Sequence, residues 1–158
     1  MSKRPDCSKI VKSELQLKNQ NRFTKAVKYA SFVLKDPELY GYYKKKKRKN
    51  QSVWNAAISD YMSKPKVKSV NLNGYEGVPG NQIGISVWDK WQVKGVSIVI
   101  MNKDGREIER GDAVAKDFSG GMEWNYLVTA MNTDYKSSII IAKVSDMPGN
   151  TVEEISQR

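Results

Sequence analysis

Hydrophobic and polar positions follow two different periods in this chain, and the change falls at residues 63–69, Ser-Lys-Pro-Lys-Val-Lys-Ser. From Asn21 up to that stretch the pattern is helical. Phe23, Ala26, Val27, Ala30, Val33 and Leu34 fall on one face, with Arg22, Lys25 and Lys28 away from it. Asp36-Pro37-Glu38 starts a second helix: the aspartate caps, the proline suits the first turn, and the glutamate complements the dipole. This helix is expected to run through Leu39, Tyr40, Tyr42 and Tyr43 into Lys44, Lys45, Lys46, Lys47, Arg48 and Lys49. Asn50 or Ser52 then caps a third, whose apolar face is Val53, Trp54, Ala57, Ile58 and Tyr61. Pro65 cannot donate a backbone hydrogen bond and disfavours helix at Lys64, so the helical part stops there. Residues 1–19 are polar and weakly patterned, and are expected to be mobile with a short helix around 8–17.

Beyond the proline the period is two. Strands are expected at 67–72, 82–89, 95–102, 107–115, 123–131 and 138–145, with a seventh at 151–155. The alternation is clear in Ile83, Ile85, Val87, in Val96, Ile98, Ile100, and in Trp124, Tyr126, Val128. Turn residues separate the runs: Asn73-Gly74, Pro79-Gly80-Asn81, Asp104-Gly105, Gly120-Gly121 and Pro148-Gly149-Asn150. Asp104-Gly105 between two alternating runs signals a hairpin. The expected fold class is α+β: a basic helical module of about three short helices over 1–64, then an antiparallel β-sandwich of six or seven strands over 65–158.

Charge sharpens this division. Residues 1–68 hold eighteen Lys and Arg against five Asp and Glu, and residues 69–158 hold nine against twelve, so a net +10 protein has a strongly basic first part and a slightly acidic second. A basic patch confined to one module suits a polyanionic partner: DNA or RNA, an anionic membrane surface, or an acidic protein. The run 44–49 is its centre. Either it neutralises phosphates, with Tyr40, Tyr42 and Tyr43 beside it to stack on bases, or it is the solvated end of a helix whose tyrosines are core. No zinc-finger or helix-turn-helix pattern accompanies it, so such binding would be to backbone and nonspecific.

The stretch Gly80-Asn81-Gln82-Ile83-Gly84-Ile85, the strand from Val96 to Ile100 running into Asp104-Gly105, and the closing Asp146-Met147-Pro148-Gly149-Asn150-Thr151-Val152 resemble bacterial immunoglobulin-like and fibronectin-III-like domains. The resemblance covers roughly residues 66–156 and rests on pattern more than identities. The order of helical module then sandwich also resembles a group of bacterial proteins from which no activity carries over. What the resemblance implies is a fold, and fold is not function.

Reactive chemistry is sparse. Without histidine there is no Ser-His or Cys-His pair, no histidine metal site and no ordinary general base near pH 7. Cys7 is the single cysteine, which excludes an intrachain disulfide and a cysteine zinc site. Glu107 and Glu109, read as sharing a strand face, and Glu153-Glu154 are the paired carboxylates, expected to be solvent-facing charges. Asp89, Asp146 and Asn150 converge at one end of the sandwich in this reading. They are taken as turn caps in preference to calcium ligands, since no Asp-x-Asp loop is present. No metal and no cofactor are expected. Trp88 and Trp91 are the candidate protein contact, unless the helices cover that face and both rings are core. No leader-like segment and no apolar window approaching about 18 residues is present, so the expectation is a cytoplasmic protein. These observations favour a non-enzymatic interaction or assembly protein, with nonspecific nucleic-acid binding through the basic module as the alternative.

Overall fold

The computed structural model describes residues 13–116 and 122–158, so Cys7, the first half of the expected helix at 8–17 and the Gly120-Gly121 turn lie outside the described residues. The chain divides into two compact units, Met1–Met62 and Ser63–Arg158.

The first unit holds α1 (Glu14–Val33), α2 (Pro37–Lys46) and α3 (Val53–Met62). Ser13 caps α1 through a capping box with Gln16: the serine oxygen accepts from the Gln16 N–H, and the glutamine side chain accepts from the Ser13 N–H. Asp36 caps α2 as expected, accepting from the Glu38 and Leu39 N–H groups at 3.0 Å, with Pro37 at the first position. Ser52, not Asn50, caps α3 by accepting from the Asn55 N–H. Ala26, Ala30 and Val33 are the buried face of α1. Phe23 and Leu34, read as part of that face, stand half exposed at 50% and 48%. The buried face of α3 is Val53, Ala56, Ala57 and Asp60, while Trp54, Ile58 and Tyr61 are only half-buried. Small alanines at the contact let the two backbones approach, which moves the seam away from the larger residues.

The second unit is an antiparallel β-sandwich of two four-stranded sheets. One has the order β1 (Lys66–Asn71), β2 (Gln82–Trp88), β6 (Glu123–Leu127), β5 (Val114–Ala115). The other has the order β4 (Glu107–Asp112), β3 (Val93–Met101), β7 (Ile139–Asp146), β8 (Thr151–Gln157). The alternating residues fill the space between them: Ile83, Ile85 and Val87 from β2, Ile98 and Ile100 from β3, Ile140 and Ala142 from β7 are all fully buried. The hairpin expected at Asp104-Gly105 joins β3 to β4. Asn102 Oδ1 accepts from the Asp104 and Arg106 N–H groups, and Gly105 takes a φ of +78° that a side chain would resist. Among the described residues no helix occurs after residue 62 except the 3-10 turn Tyr135–Ser137.

Three strands of the sandwich differ from the sequence reading. The strand expected over 107–115 is two strands in different sheets. The chain crosses between the sheets at Ala113, which is buried and donates its N–H to Val96 O at 2.8 Å. Gly111 makes the crossing sterically open, since a Cβ there would sit 2.9 Å from the Tyr126 ring. The strand expected over 123–131 stops at Leu127, because beyond Val128 the backbone turns to donate to a side chain. The Thr129 and Ala130 N–H groups go to Glu109 Oε2 at 3.0 and 3.1 Å. The seventh strand is a full-length one, running to Gln157.

The same carboxylate corrects the reading of Glu107 and Glu109. A bulge between Ile100 and Met101 pairs Met101 with Glu107 and Ile100 with Glu109, leaving Ile108 as the extra residue. Glu107 therefore faces out, where it pairs with Arg110, and that guanidinium holds its carboxyl below the ordinary glutamate value. Glu109 faces in, and also accepts from Thr129 Oγ1 at 2.7 Å and from the Tyr126 hydroxyl at 3.2 Å. Burial first, then the Glu109 charge, pushes the Tyr126 phenol up to about 12. Glu109→Ala strands two backbone donors and is expected to cost about 2–3 kcal/mol in urea unfolding, while Glu109→Gln retains an oxygen acceptor and is expected to cost about half that. Equal losses for the two variants would show that the hydrogen bonds are not the cause.

Candidate functional site

The basic run is built on an anchored residue. Tyr43, the last residue before it, is fully buried, and its hydroxyl donates to Asp60 Oδ2 at 2.7 Å. The Tyr29 hydroxyl lies 2.9 Å from the Tyr43 oxygen. Since the Tyr43 proton is directed at Asp60, Tyr29 is the donor in that second bond. One residue from each helix thus joins a single hydrogen-bonded chain. Burial, then the bonds to Tyr29 and Asp60, holds the Tyr43 phenol far above its ordinary value, so it stays protonated. Tyr42 and Tyr29 both meet the Tyr43 ring edge-on.

From this anchor Lys44, Lys45 and Lys46 complete the last turn of α2, where cations complement the carbonyl end of the helix. The helix does not continue to Lys49 as the sequence suggested. Lys47 is extended (φ −61°, ψ 153°), and only its N–H, donating to Tyr43 O at 2.8 Å, still belongs to the helix. Six adjacent cations repel one another, and the extended Lys47 ends the helix before Arg48 and Lys49 enter a turn in which the Gln51 N–H donates to Arg48 O at 3.1 Å. All six side chains are exposed except Lys47, which is half-buried, and among the described residues none has an ion-pair partner. The tyrosines are divided by the fold: Tyr43 is core, Tyr42 half-buried, and only Tyr40, at 39% exposure, stands open beside the run.

Asp60 and Tyr29 were missed by the sequence reading. The signal for Asp60 was present: it falls on the same helical stripe as Val53, Ala56 and Ala57, where an aspartate needs a buried partner.

In the second unit Trp88 lies half-buried on the outer side of β2, with Lys66 Nζ 6.0 Å from its ring centroid, and Trp91 is half-buried in the loop after it. Asp89, Asp146 and Asn150 do converge. A carboxylate oxygen of Asp89 comes within 4.8 Å of one of Asp146. Both are occupied as turn caps: Asp89 accepts from the Lys90 and Gln92 N–H groups, and Asp146 from the Asn150 N–H at 2.6 Å and from its side chain at 2.7 Å. Asn150 Nδ2 also reaches Ser63 O at 3.0 Å, which ties the β7–β8 turn to the start of this unit. Burial raises the Asp146 carboxyl, with the Asp89 charge adding to it, against the lowering effect of the Asn150 bonds. Its contribution to stability is therefore full below the ordinary aspartate value and is lost as pH rises through the raised one.

The remaining paired carboxylates are separated by the fold. Glu153 stands opposite Lys143 and pairs with it at 3.2 Å, while Glu154 stands opposite Ala142 on the other face of β8. Neither Glu107/Glu109 nor Glu153/Glu154 presents two carboxylates to one point.

Helices followed by an antiparallel β-sandwich are the class this chain defines. Among solved structures it is similar to CopC from Methylosinus trichosporium OB3b, at 15% identity and a TM-score of 0.42, over 59% of this chain and 87% of that one. It is also similar to the MHC-like MILL2, at 10% identity and a TM-score of 0.39, over 68% of this chain and 46% of that one. No family model and no curated protein sequence matches the chain. Among the described residues no helix is long and apolar enough to cross a membrane.

Proposed function

We propose that this is a non-enzymatic interaction protein, in which an immunoglobulin-like sandwich is the scaffold and the basic helical unit is the contact surface for an acidic partner. The observation that carries the reading is the run 44–49: six adjacent cations, five of them exposed, with no ion-pair partner among the described residues, directly after a tyrosine pinned to the other two helices. The immunoglobulin-like assignment is supported by strand order. The order β1-β2-β6-β5 against β4-β3-β7-β8 follows A-B-E-D against C′-C-F-G, with β4 in the place of C′. The absence of histidine and the separation of both carboxylate pairs favour a role without catalysis.

Nonspecific nucleic-acid binding through the same run is the second reading, favoured by the exposed Tyr40 beside it. Stacking would fall to that one ring, so phosphate contacts would supply the affinity. The test is a salt titration with mixed-sequence DNA, RNA and heparin. Replacing Lys44, Lys45, Lys46 and Lys47 by Gln is expected to weaken binding alike for all sequences and to flatten the log–log salt slope by about 3–4 units, near 0.9 for each phosphate contact on duplex DNA. The fold is expected to survive, since lysine and glutamine have similar helix propensity. No binding by the wild-type chain at about 50 mM salt, where such contacts are strongest, would remove the nucleic-acid reading. The run would then be a solvated helix end, and the interaction reading would stand alone.

A further inference from the structure

Apart from charge, nothing in the local sequence obliges α2 to stop at Lys46. Residues 44–52 contain no glycine and no proline, and lysine and arginine are good helix formers. The backbone hydrogen bonds also leave room for more helix. The Lys47 N–H still donates to Tyr43 O, but the next carbonyls, those of Lys44, Lys45 and Lys46, have no backbone donor among the described residues. The Arg48 N–H, which would serve Lys44 O in a longer helix, goes instead to Gln51 Oε1 at 3.3 Å. What opposes growth is repulsion. In a helix Arg48 would stand one turn above Lys44, and Lys49 one turn above Lys45, with Cβ atoms about 5–6 Å apart, where like charges destabilise. The helix is also weakened from within. Gly41 lies in its middle although a Cβ there would meet nothing within 4 Å, so packing gives no return for the helical stability this glycine costs.

We infer that the charge of the run sets the length of α2: bare, the run ends the helix at Lys46; neutralised by a bound polyanion, it carries the helix on through Lys49. Neutralisation removes the repulsion between successive turns. The carbonyls of Lys44, Lys45 and Lys46 then take the N–H groups of Arg48, Lys49 and Asn50. Asn50, Gln51 and Ser52 remain as the connection to α3, within the usual span between neighbouring helices. Growth also arranges the surface. Tyr40, Lys44 and Arg48 come to stand at i, i+4 and i+8, one above another, and Lys45 and Lys49 form the adjoining row. The exposed Tyr40 ring is then continuous with four cations, and Gly41, which has no side chain, lies open at the head of the second row. Binding and helix growth favour each other, because a polyanion meets this arrangement only in the longer helix. The polyanion half of the inference rests on the proposed reading of the run as a contact surface; the charge-limited helix stands without it.

The test is backbone NMR of the full chain, reading Cα chemical shifts and amide exchange at Lys47, Arg48 and Lys49. For the wild type at about 20 mM salt, where exposed charges are weakly screened, non-helical shifts are expected. Replacing Lys44, Lys45, Lys46 and Lys47 by Gln is expected to turn the shifts of residues 47–49 helical with no ligand present, and to slow exchange at Arg48 and Lys49 by about tenfold. About 1 M salt, with a Debye length of about 3 Å, is expected to move the wild type in the same direction. Saturation of the wild type with heparin is expected to do so too. Non-helical shifts in the Gln variant overturn the inference, since charge is then not what ends α2. Helical shifts at Arg48 and Lys49 in the bare wild type at low salt also overturn it. Heparin that perturbs the run without lengthening the helix removes the coupling. If heparin leaves the run unperturbed, the contact-surface reading is what fails, and the coupling with it, while the Gln variant still decides what limits α2.

Discussion

Gly77→Ala is expected to destabilise the sandwich by about 3–5 kcal/mol, enough to unfold a marginal domain. A Cβ at this position would lie 2.0 Å from the Asn132 carbonyl oxygen and 2.8 Å from Tyr135 Cβ, and Gly77 has a φ of +72°. The left-handed backbone alone costs a non-glycine residue about 1–2 kcal/mol. The rest comes from what must move. Gly77 O accepts from the Asn132 N–H at 2.8 Å, and the Asn132 side chain donates to the buried Tyr75 hydroxyl at 2.8 Å and to Ser138 Oγ at 2.7 Å. Pushing the Asn132 carbonyl away disturbs all three bonds, two of them to buried side chains, at about 1–3 kcal/mol for each group left unsatisfied. Gly80→Ala separates backbone strain from collision. Gly80 also has positive φ, +93°, but a Cβ there meets nothing within 4 Å. Its expected cost is the backbone component only, about 1–2 kcal/mol. Urea unfolding followed by near-ultraviolet circular dichroism reads both. Equal losses for the two glycines would rule out the collision as the cause.

Tyr43→Phe is expected to cost about 2–4 kcal/mol in the helical unit while leaving its packing in place. The ring is retained, so the variant removes only the hydroxyl that accepts from Tyr29 and donates to Asp60. A carboxylate in a fully buried position then loses a 2.7 Å donor. The loss should be confined largely to helix, visible as a lower melting midpoint at 222 nm. Adding Asp60→Asn to Tyr43→Phe should cost less than the two single changes summed, because the hydroxyl and the carboxylate stabilise the fold as a unit. Strict additivity would mean that the two side chains are not coupled. The connection matters for the proposed contact surface, because Tyr43 immediately precedes the lysine run and fixes where it emerges.

Local information was sufficient for much of this protein. The change of period at Pro65, the Asp36-Pro37 helix start, the Asp104-Gly105 hairpin and the inward faces of β2, β3 and β6 all follow from residues within a few positions of one another, because helix and strand periodicities are short-range. The basic run was equally legible, since six adjacent cations cannot be hidden without partners. What depended on distant partners was not. A bulge of one residue set Glu107 and Glu109 on opposite faces, and the register of β3 against β4 decides that. Ala113 carries the chain from one sheet to the other because Gly111 leaves room for Tyr126, fifteen residues further along. Asp60 sits on the buried stripe of α3 because Tyr43, from a second helix, donates to it, and Tyr43 is in turn bonded to Tyr29 from a third. Only the pairing of the strands set Val99, Met101, Ile139, Ile141 and Ile155 side by side, since a strand's neighbours across a sheet are fixed by tertiary hydrogen bonding and not by the order of the chain.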